Sequence, residues 1–299
     1  MPQEKILVSI ITPVYNAEKF IGRCVESVQR QQYNSYEHLI IDGDSTDRTV
    51  ALAREYMCSD TKIRLVIEKD KGVYDAMNKA IVLAKGRWLY FLGADDFFYS
   101  DKVLSKTASY LSNSSAEVVY GNVWNERLEK VYDGPFSIEK LLKRNISHQA
   151  IFYRDIIFSR MGLFNLDFKL EADYDFNLRC WIKGSVNEFI NETIAFYSRG
   201  GISDVGRDAV FVKNYPDISV GYLFESKRTF FSKIDILSKI FRKILLRYPF
   251  KQFWISFSEG NNYWIKILAF GWMVISFPVY SLNSFIFARR RKRFLLEPD

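Results

Sequence analysis

Three groups of carboxylates in the sequence have types and spacings suited to metal binding or proton transfer. The first is Asp95-Asp96, which follows the apolar run of residues 88–92. Gly93 and Ala94 precede the pair and leave room for a ligand to approach closely. Carboxylate oxygens are hard ligands that suit Mg²⁺ or Mn²⁺ bridging a diphosphate. Taken alone, the pair is equally consistent with capping of a following helix, because Asp is favoured at helix starts.

The second group is Asp42, Asp44 and Asp47, which lie between an apolar run and the start of a helical segment. An N-cap role accounts for at least one of Ser45, Thr46 and Asp47. Asp42 is closest to the strand end and is the better candidate for hydrogen bonding to a base or ribose. The spacing does not match an EF-hand loop, since no Glu follows at the twelfth position.

The third group is Asp173 with Glu171 and Asp175, at the start of another segment with helical spacing. Carboxylates there lie near the positive end of the helix dipole, which favours their ionised form. An ionised carboxylate can act as a general base. Dipole complementation alone accounts for these residues equally well.

The elements that must position these groups alternate along the chain. Helical spacing with an apolar stripe occurs in residues 20–28 and 73–84. Short apolar runs rich in β-branched and aromatic residues predict strands at 6–11, 37–41, 63–67, 88–92 and 117–120. The alternation predicts an α/β fold with a mainly parallel central sheet flanked by helices. Ligands of such sheets gather at the carboxyl ends of strands, and the polar loops 12–16, 42–47, 68–72 and 93–96 all follow strands.

Beyond residue 121 the alternation is less regular. The spacing predicts a hairpin across 123–133, a helix near 137–145, a strand over 148–153 and a helix over 172–182.

Five of these segments, in this order and spacing, resemble glycosyltransferase family 2. They are residues 9–16 (SIITPVYN), 41–47 (IDGDSTD), 70–78 (DKGVYDAMN), 91–96 (FLGADD) and 172–175 (ADYD). The resemblance covers roughly residues 5–205. Within the family, the chain looks most like bacterial enzymes that build exopolysaccharide, capsule or O-antigen repeat units.

The resemblance implies a GT-A fold, a nucleotide-sugar donor with a UDP-sugar favoured, and inversion at the anomeric carbon. It places Thr12, Pro13, Tyr15 and Asn16 in the nucleotide pocket and Asp42 on the base. Asp70, Lys71 and Gly72 would lie near the ribose and phosphates, and the donor-binding set also includes Asn78, Gly93, Ala94 and Asp95.

The same resemblance implies a divalent cation, Mn²⁺ or Mg²⁺, at Asp95 and Asp96. Asp95 matches the second carboxylate of the family's DxD motif, whose first position is Gly93 here, so one ligand is missing. Asp173 matches the catalytic base, which removes the acceptor's proton. His148, Gln149 and Gly201 resemble loop residues around donor and acceptor, although His148 alone is equally consistent with a structural hydrogen bond.

Processive synthases of the wider family carry a Gln-x-x-Arg-Trp motif. Residues 177–181 (NLRCW) lack both the Gln and the adjacent Arg-Trp pair. We therefore predict the addition of a single sugar.

The C-terminal third differs in composition from the rest of the chain. Residues 221–299 carry 14 Lys/Arg and 5 Asp/Glu, a net charge of +9, whereas residues 1–220 carry −2. The basic residues interleave with large apolar ones, which is typical of a membrane-surface segment and disfavours nucleic acid as the partner. We predict a catalytic domain over 1–220 and a basic, apolar, helical membrane-associated region over 221–299.

Two segments carry this membrane prediction. Residues 227–251 have the pattern of a basic amphipathic helix on anionic lipid, with packing against the catalytic domain as the alternative. Residues 267–288 lack charge and are long enough to span a bilayer core of about 30 Å, but Pro278 divides them and the basic run 289–293 follows. Because positive charge tends to stay in the cytoplasm, we predict a re-entrant or interfacial hairpin, with a single span as the alternative.

These features predict an enzyme on the cytoplasmic face of the bacterial inner membrane, acting on an acceptor saccharide linked to polyprenyl diphosphate. The scattered Cys24, Cys58 and Cys180 indicate neither a disulfide framework nor a zinc site, and no signal peptide is predicted. Two alternatives remain, a sugar-phosphate nucleotidyltransferase and a catalytically inactive membrane-associated scaffold. The first would have a glycine-rich loop after the first strand, and residues 12–16 contain no glycine.

Overall fold

The computed structural model describes residues 6–198 and 206–247. Its first half has the predicted alternation of strands and helices, and the first four predicted strands are present within two or three residues of their expected bounds. The strand expected over 117–120 begins at Val118 but extends to Asn125. The elements in this half are β1 (Val8–Val14), α1 (Ile21–Gln29), β2 (Tyr36–Asp42), α2 (Thr49–Ser59), β3 (Ile63–Ile67), α3 (Val73–Leu83) and β4 (Trp88–Phe91).

The second half contains the predicted hairpin and both predicted helices. Residues His148–Ala150 form a 3₁₀ turn, so the strand expected over 148–153 begins only at Ile151. The elements are β5 (Phe97–Phe98), α4 (Val103–Asn113), β6 (Val118–Asn125), β7 (Lys130–Tyr132), α5 (Ile138–Lys143), β8 (Ile151–Arg154), α6 (Ile156–Met161), α7 (Ala172–Lys183), β9 (Asn187–Tyr197), α8 (Ala209–Glu225) and α9 (Phe230–Arg247).

The strands form one nine-stranded sheet in the order β3-β2-β1-β4-β8-β6-β9-β5, with β7 paired to β6. The block β3-β2-β1-β4 is parallel, as predicted. The prediction of a mainly parallel sheet is wrong beyond β4, because β8 runs antiparallel to both β4 and β6, and β5 and β7 are also antiparallel to their partners. The β6-β7 pair is a hairpin whose short turn requires antiparallel pairing, whereas β6 and β9 pair in parallel. The sheet is therefore mixed.

The parallel block is covered on both faces, which explains its unbroken apolar sequence. Every residue of β1 and β2 is buried, as expected for strands between two helical layers. The predicted stripe of α1 is buried at Ile21, Cys24, Val25 and Val28, whereas Phe20, at the helix start, remains 48% exposed. Burial of this core fixes the strands and hence the positions at which they end.

The change in composition at residue 221 falls within α8. The chain divides into two compact units, Met1–Lys243 and Ile244–Asp299, and α8 and most of α9 belong to the first. On α9, Ile236 and Ile240 are buried, so this part of the stripe packs against the protein as the alternative interpretation expected. Across 6–198 and 206–247, we find no helix with the length and apolar character that crossing a membrane requires. The predicted hairpin over 267–288 lies outside these ranges.

Candidate active site

A cavity of about 760 Å³ opens at the edge of the sheet where β1, β2 and β4 end. Its wall is formed largely by the loops that follow strands, as expected for ligand sites in α/β sheets. The predicted site residues that line it are Pro13, Tyr15, Asn16, Asp70, Gly72, Gly93, Ala94, Asp95, Asp96, His148 and Gln149. The fold thus brings most of the predicted donor site together.

Four predicted donor-site residues do not line the cavity, namely Thr12, Asp42, Lys71 and Asn78. Thr12 is fully buried, with its hydroxyl 2.9 Å from His38 Nε2. Asn78 exchanges two hydrogen bonds with the main chain of Phe164, of 2.9 and 3.0 Å. Both residues therefore hold the surrounding structure in place. Gly201 lies outside the described residues.

Asn16 joins the loops after β1 and β2. Its main-chain N–H donates to Ser45 Oγ at 2.8 Å, and its Oδ1 accepts the Thr46 N–H at 2.9 Å. Asn16 (φ 48°) and Asp44 (φ 72°) have left-handed backbone, which Asn and Asp tolerate better than other non-glycine residues. The two loops consequently form one shaped wall of the cavity.

Asp42 is buried beside this wall with one oxygen free. Its Oδ1 accepts the Ser45 N–H at 2.8 Å, whereas its buried Oδ2 has no hydrogen-bond partner within the described ranges. The next residue, Gly43, lines the cavity. The predicted N-cap is not found at Ser45, Thr46 or Asp47, because Arg48 is the N-cap of α2; Asp47, which precedes it, accepts the Thr49 N–H at its Oδ1 at 2.9 Å.

Gly43 is required where the loops after β2 and β3 meet. A Cβ at this position would lie 2.4 Å from Asp70 Oδ2, closer than van der Waals contact allows. Asp70 is itself fixed, because its Oδ1 accepts the Gly72 N–H at 2.9 Å. Close packing of these loops places the Asp70 carboxylate in the cavity wall.

Asp95 and Asp96 have different environments. Asp96 is buried, and its oxygens accept hydrogen bonds from Gln149 Nε2 at 2.5 Å and from the Ser198 N–H at 3.3 Å. Burial, followed by the charge of Asp95, raises the pKa of Asp96 to about 7. Asp95 is only partly buried, and its main-chain carbonyl accepts a hydrogen bond from Arg23 at 2.9 Å. Asp95 is therefore the more accessible carboxylate of the pair.

The 3₁₀ turn before β8 supports the buried carboxylate. The main-chain carbonyl of Gln149 accepts the Tyr90 hydroxyl at 2.8 Å, which fixes the turn to β4. Burial lowers the pKa of His148 to about 4. The lowered pKa favours the neutral imidazole at physiological pH, although the charge of Asp95 opposes the shift.

Asp173 lies in the first turn of α7 and is in contact with the cavity wall. Its Oδ1 accepts the Tyr74 hydroxyl at 2.8 Å, and its Oδ2 accepts Asn145 Nδ2 at 2.7 Å. Tyr74 lines the cavity and also lies 3.0 Å from the Leu170 carbonyl. Burial raises the pKa of Asp173 to about 6, although these hydrogen bonds oppose the rise. Asp173 is thus ionised at neutral pH with a pKa suited to general-base chemistry.

Comparison with known proteins establishes the family of the chain. The profile described as Glycosyl transferase family 2 matches residues 9–167, more than half of the chain. The chain belongs to glycosyltransferase family 2. A glycosyltransferase of PGL/p-HBAD biosynthesis from Mycobacterium bovis is 38% identical over 214 residues, covering 70% of this chain and 83% of the relative. Chondroitin synthase from Escherichia coli is 31% identical over 179 residues, covering 58% of this chain and 26% of that enzyme.

Solved structures share the fold of this family 2 glycosyltransferase. Residues 1–349 of TarS from S. aureus, in complex with UDP-GlcNAc, superpose with a TM-score of 0.67 at 16% identity, covering 84% of this chain and 79% of that one. The mannosyltransferase PcManGT from Pyrobaculum calidifontis, in complex with GDP-Man and Mn²⁺, has a TM-score of 0.60 at 15% identity, with coverages of 95% and 84%. The predicted GT-A fold is confirmed, and the nucleotidyltransferase and the inactive scaffold are not supported.

The carboxylates of this glycosyltransferase can hold a divalent cation only if oxygen atoms of a substrate complete its coordination. No group of three or more His, Cys, Asp and Glu side chains that could hold a metal occurs in 6–198 and 206–247. A Cβ at Gly93 would lie 2.9 Å from oxygens of both Asp95 and Asp96, so these carboxylates converge over the glycine. Because Asp96 is already hydrogen-bonded, Asp95 fits as the main carboxylate ligand for Mg²⁺ or Mn²⁺, with diphosphate oxygens completing the shell.

Sequence reasoning missed several residues of the site. Tyr74 lies inside the motif 70–78, and its aromatic hydroxyl between polar loops was a signal that could have identified it. Lys69 and Lys169 line the cavity and carry positive charge suited to phosphates, but exposed lysines have no distinctive spacing. Asn145 belongs to none of the recognised motifs, and only its contact with Asp173 reveals it.

Proposed function

We propose that the chain is an inverting, metal-dependent glycosyltransferase that moves one sugar from a nucleotide-sugar donor to a lipid-linked saccharide during bacterial cell-surface polysaccharide synthesis. The observation that carries this proposal is the contact between Asp173, whose pKa is about 6, and the wall of a cavity that also contains Asp95. Direct displacement requires a general base and stabilisation of the diphosphate leaving group, which a carboxylate can provide by holding a divalent cation.

The reaction follows from the role of Asp173. The carboxylate accepts the proton of an acceptor hydroxyl while the hydroxyl oxygen bonds to the anomeric carbon. The bond between that carbon and the donor's diphosphate oxygen breaks, and the electron pair leaves with the nucleoside diphosphate. Attack opposite the leaving group inverts the anomeric configuration. Asp173 is then protonated, and it returns this proton to water.

A divalent cation held by Asp95, when bound, would neutralise the charge that develops on the diphosphate. Lys69 and Lys169 line the same cavity, and their ammonium groups favour an anionic donor there. Asp96 supports the loop through its hydrogen bonds to Gln149 and Ser198.

We favour uridine as the nucleoside, and Asp42 supports a pyrimidine base. Oδ1 accepts the Ser45 N–H, and Oδ2 has no hydrogen-bond partner within the described ranges. One unpartnered oxygen matches the single N3–H that uracil and thymine share, whereas guanine offers two adjacent N–H donors that suit a carboxylate with both oxygens unpartnered. Asp42 does not line the cavity, but the next residue, Gly43, does.

A donor screen tests the proposed function. Purified protein would be incubated with UDP-, GDP- and dTDP-sugars, each with Mn²⁺, Mg²⁺ or EDTA, and followed by thermal shift and by donor turnover. We expect the largest stabilisation with a UDP-sugar and Mn²⁺, and loss of turnover in EDTA. Proton NMR of the product should show inverted configuration and one added sugar. Retention of configuration or a ladder of products would contradict the mechanism.

The lipid-linked acceptor requires the enzyme to work at a membrane surface, which we place at the cytoplasmic face of the inner membrane. The start of α9 supports this proposal, because Phe230 and Phe231 are 72% and 82% exposed. Lys233 lies one turn further, so apolar and basic groups are adjacent as in interfacial helices. We expect the protein to co-sediment with anionic vesicles, and the double variant Phe230→Ser/Phe231→Ser to do so less. Equal binding of this variant and the unaltered protein would contradict a role for this surface.

A further inference from the structure

A line of hydrogen bonds leads from the buried core of the protein to the partly buried Asp173. The Tyr153 hydroxyl donates to Asn177 Oδ1 at 2.8 Å, Asn177 Nδ2 donates to Asn145 Oδ1 at 2.8 Å, and Asn145 Nδ2 donates to Asp173 Oδ2 at 2.7 Å. The four groups come from β8, from α7 and from the segment after α5. The proton-accepting group is therefore connected to three separate parts of the chain.

The orientation of the Asn145 amide is fixed by a main-chain N–H, a group that can donate a hydrogen bond but cannot accept one. The main-chain N–H of Ile146 donates to Asn145 Oδ1 at 3.0 Å. A backbone N–H can only donate, so the atom that faces it must be the amide oxygen. The amide nitrogen consequently faces Asp173, and this result does not depend on the other side chains in the line.

Asn145 is held rigidly because the groups behind it are buried. Asn177 is fully buried and Tyr153 is 1% exposed. The Tyr153 ring packs edge-on against Phe176 with centroids 5.4 Å apart. Buried polar groups lose the option of bonding to water, so each retains its partner. Rotation of the Asn145 amide would break its bonds to Ile146, Asn177 and Asp173.

We propose that Asn145 is a positioning residue for the general base, and that Asn177 and Tyr153 act through it. This inference rests on the proposed role of Asp173. Asn145 holds Oδ2 and Tyr74 holds Oδ1, so the plane of the carboxylate is fixed from two sides. Each oxygen retains a further lone pair, and one of these accepts the proton of the acceptor hydroxyl. The donated hydrogen bonds also stabilise the charged form that acts as base.

The titratable groups around Asp173 determine whether loss of a hydrogen bond raises or lowers its pKa. Tyr74 faces it from α3, Tyr153 from β8, and Glu171 lies at the start of the same helix. The cation beside these groups, Arg207, pairs with Glu171 at 2.6 Å, and the charged form of Asp173 is stabilised by donated hydrogen bonds. Loss of the Asn145 donor is therefore expected to favour the protonated form and to raise the pH at which the base becomes active.

The test compares pH profiles of kcat/KM, which report the free enzyme. A hydrogen bond to a charged group corresponds to a shift of about one pH unit. The acidic limb of the profile is the range in which activity rises as the base loses its proton. We expect Asn145→Ala to shift this limb to higher pH by about this amount. Asn145→Asp keeps the shape of the side chain but places a second carboxylate at the base, and we expect a shift of roughly two units or more. Gln31→Leu removes a buried amide with main-chain partners only, and should leave the limb in place.

The outcomes separate this inference from the proposed function. If Asp173→Asn retains normal transfer, Asp173 is not the base and both proposals fail. If Asp173→Asn is inactive but neither Asn145 variant shifts the acidic limb, the role of Asp173 as base is supported and the positioning role of Asn145 is overturned. Because Asn145→Asp is isosteric, it keeps the test decisive if Asn145→Ala does not fold. Thermal unfolding of every variant checks that folded protein is compared, and a limb shift in Gln31→Leu would also overturn the inference.

Discussion

Replacement of Asp173 by Asn tests both the chemistry and the energetics of the site. The structure indicates how the new amide would be accommodated. Asn145 can only donate from Nδ2, so the oxygen of the new side chain must face it, and the new NH₂ group must face Tyr74. The Tyr74 hydroxyl can accept this hydrogen bond while donating to the Leu170 carbonyl, which lies 3.0 Å away. The variant is therefore expected to fold without an unpaired polar group.

The substitution should raise the free energy of unfolding at neutral and alkaline pH. The pKa of Asp173 rises from 3.8 to about 6 on folding. A raised carboxyl pKa means that its contribution to stability is complete below pH 3.8 and is lost as pH rises through about 6. The difference in pKa corresponds to about 3 kcal/mol. Because Asn cannot ionise, Asp173→Asn should be more stable by up to this amount at pH 8 and no more stable near pH 4.

Transfer should be lost in the same variant. An amide cannot accept the hydroxyl proton, and removal of a general base costs about 10²–10⁴-fold in rate. The assay is product formation under saturating donor across pH 5 to 9, alongside denaturant unfolding at pH 4 and pH 8. Donor affinity, measured by calorimetry, should remain close to that of the unaltered enzyme, since Asp173 does not line the donor cavity.

Asp175→Asn provides the matched control. Asp175 lies two residues further along α7 and pairs with Arg179 at 2.5 Å in the interior, so its replacement leaves a buried cation without its carboxylate counter-charge. This variant should be destabilised by about 3 kcal/mol or more, the opposite sign to Asp173→Asn. Two results would show that the buried charge of Asp173 does not destabilise the protein. One is a lower free energy of unfolding for Asp173→Asn than for the unaltered protein at pH 8, and the other is a difference between the two that does not change with pH.

Three further predictions concern the donor side. Asp42→Asn should weaken UDP binding by about tenfold or more. The amide oxygen would accept the Ser45 N–H, so the NH₂ group would face the N–H of uracil, and two donors would meet. Calorimetry measures this affinity, and an unchanged value would contradict the prediction. Gly43→Ala should lower the free energy of unfolding by about 1–3 kcal/mol in urea titrations, since its Cβ would overlap Asp70; full stability would show that the loops part freely. Asp95→Asn should raise the Mn²⁺ concentration for half-maximal turnover by about tenfold or more, and an unchanged metal titration would exclude this carboxylate as a ligand.

Several features of the site were predictable because they depend on local pattern. Unbroken apolar runs marked the buried parallel strands, and the ends of those runs marked where polar loops begin. Carboxyl ends of parallel strands meet at one edge, so Tyr15, Asp70 and Asp95 were expected to lie together and do. The recognised motifs extended this expectation to Asp173, which a capping role would otherwise have explained equally well.

Other features required the folded chain. The direction of β8 depends on which neighbours it finds, and this made the sheet mixed. Asp95 and Asp96 are adjacent and identical in sequence, yet only Asp96 meets Gln149 and the Ser198 N–H, 53 and 102 residues away. Their opposite environments follow from those distant partners.

The same reason accounts for the groups around the base. Tyr74 and Asn145 are 99 and 28 residues from Asp173 along the chain, and no periodicity connects residues so far apart. Where strands end and which carboxylates follow them can be read along the chain, because burial imposes a repeating pattern. Which carboxylate is accessible and which donors hold the base depend on the folded chain, because individual hydrogen bonds between distant segments leave no pattern in the sequence.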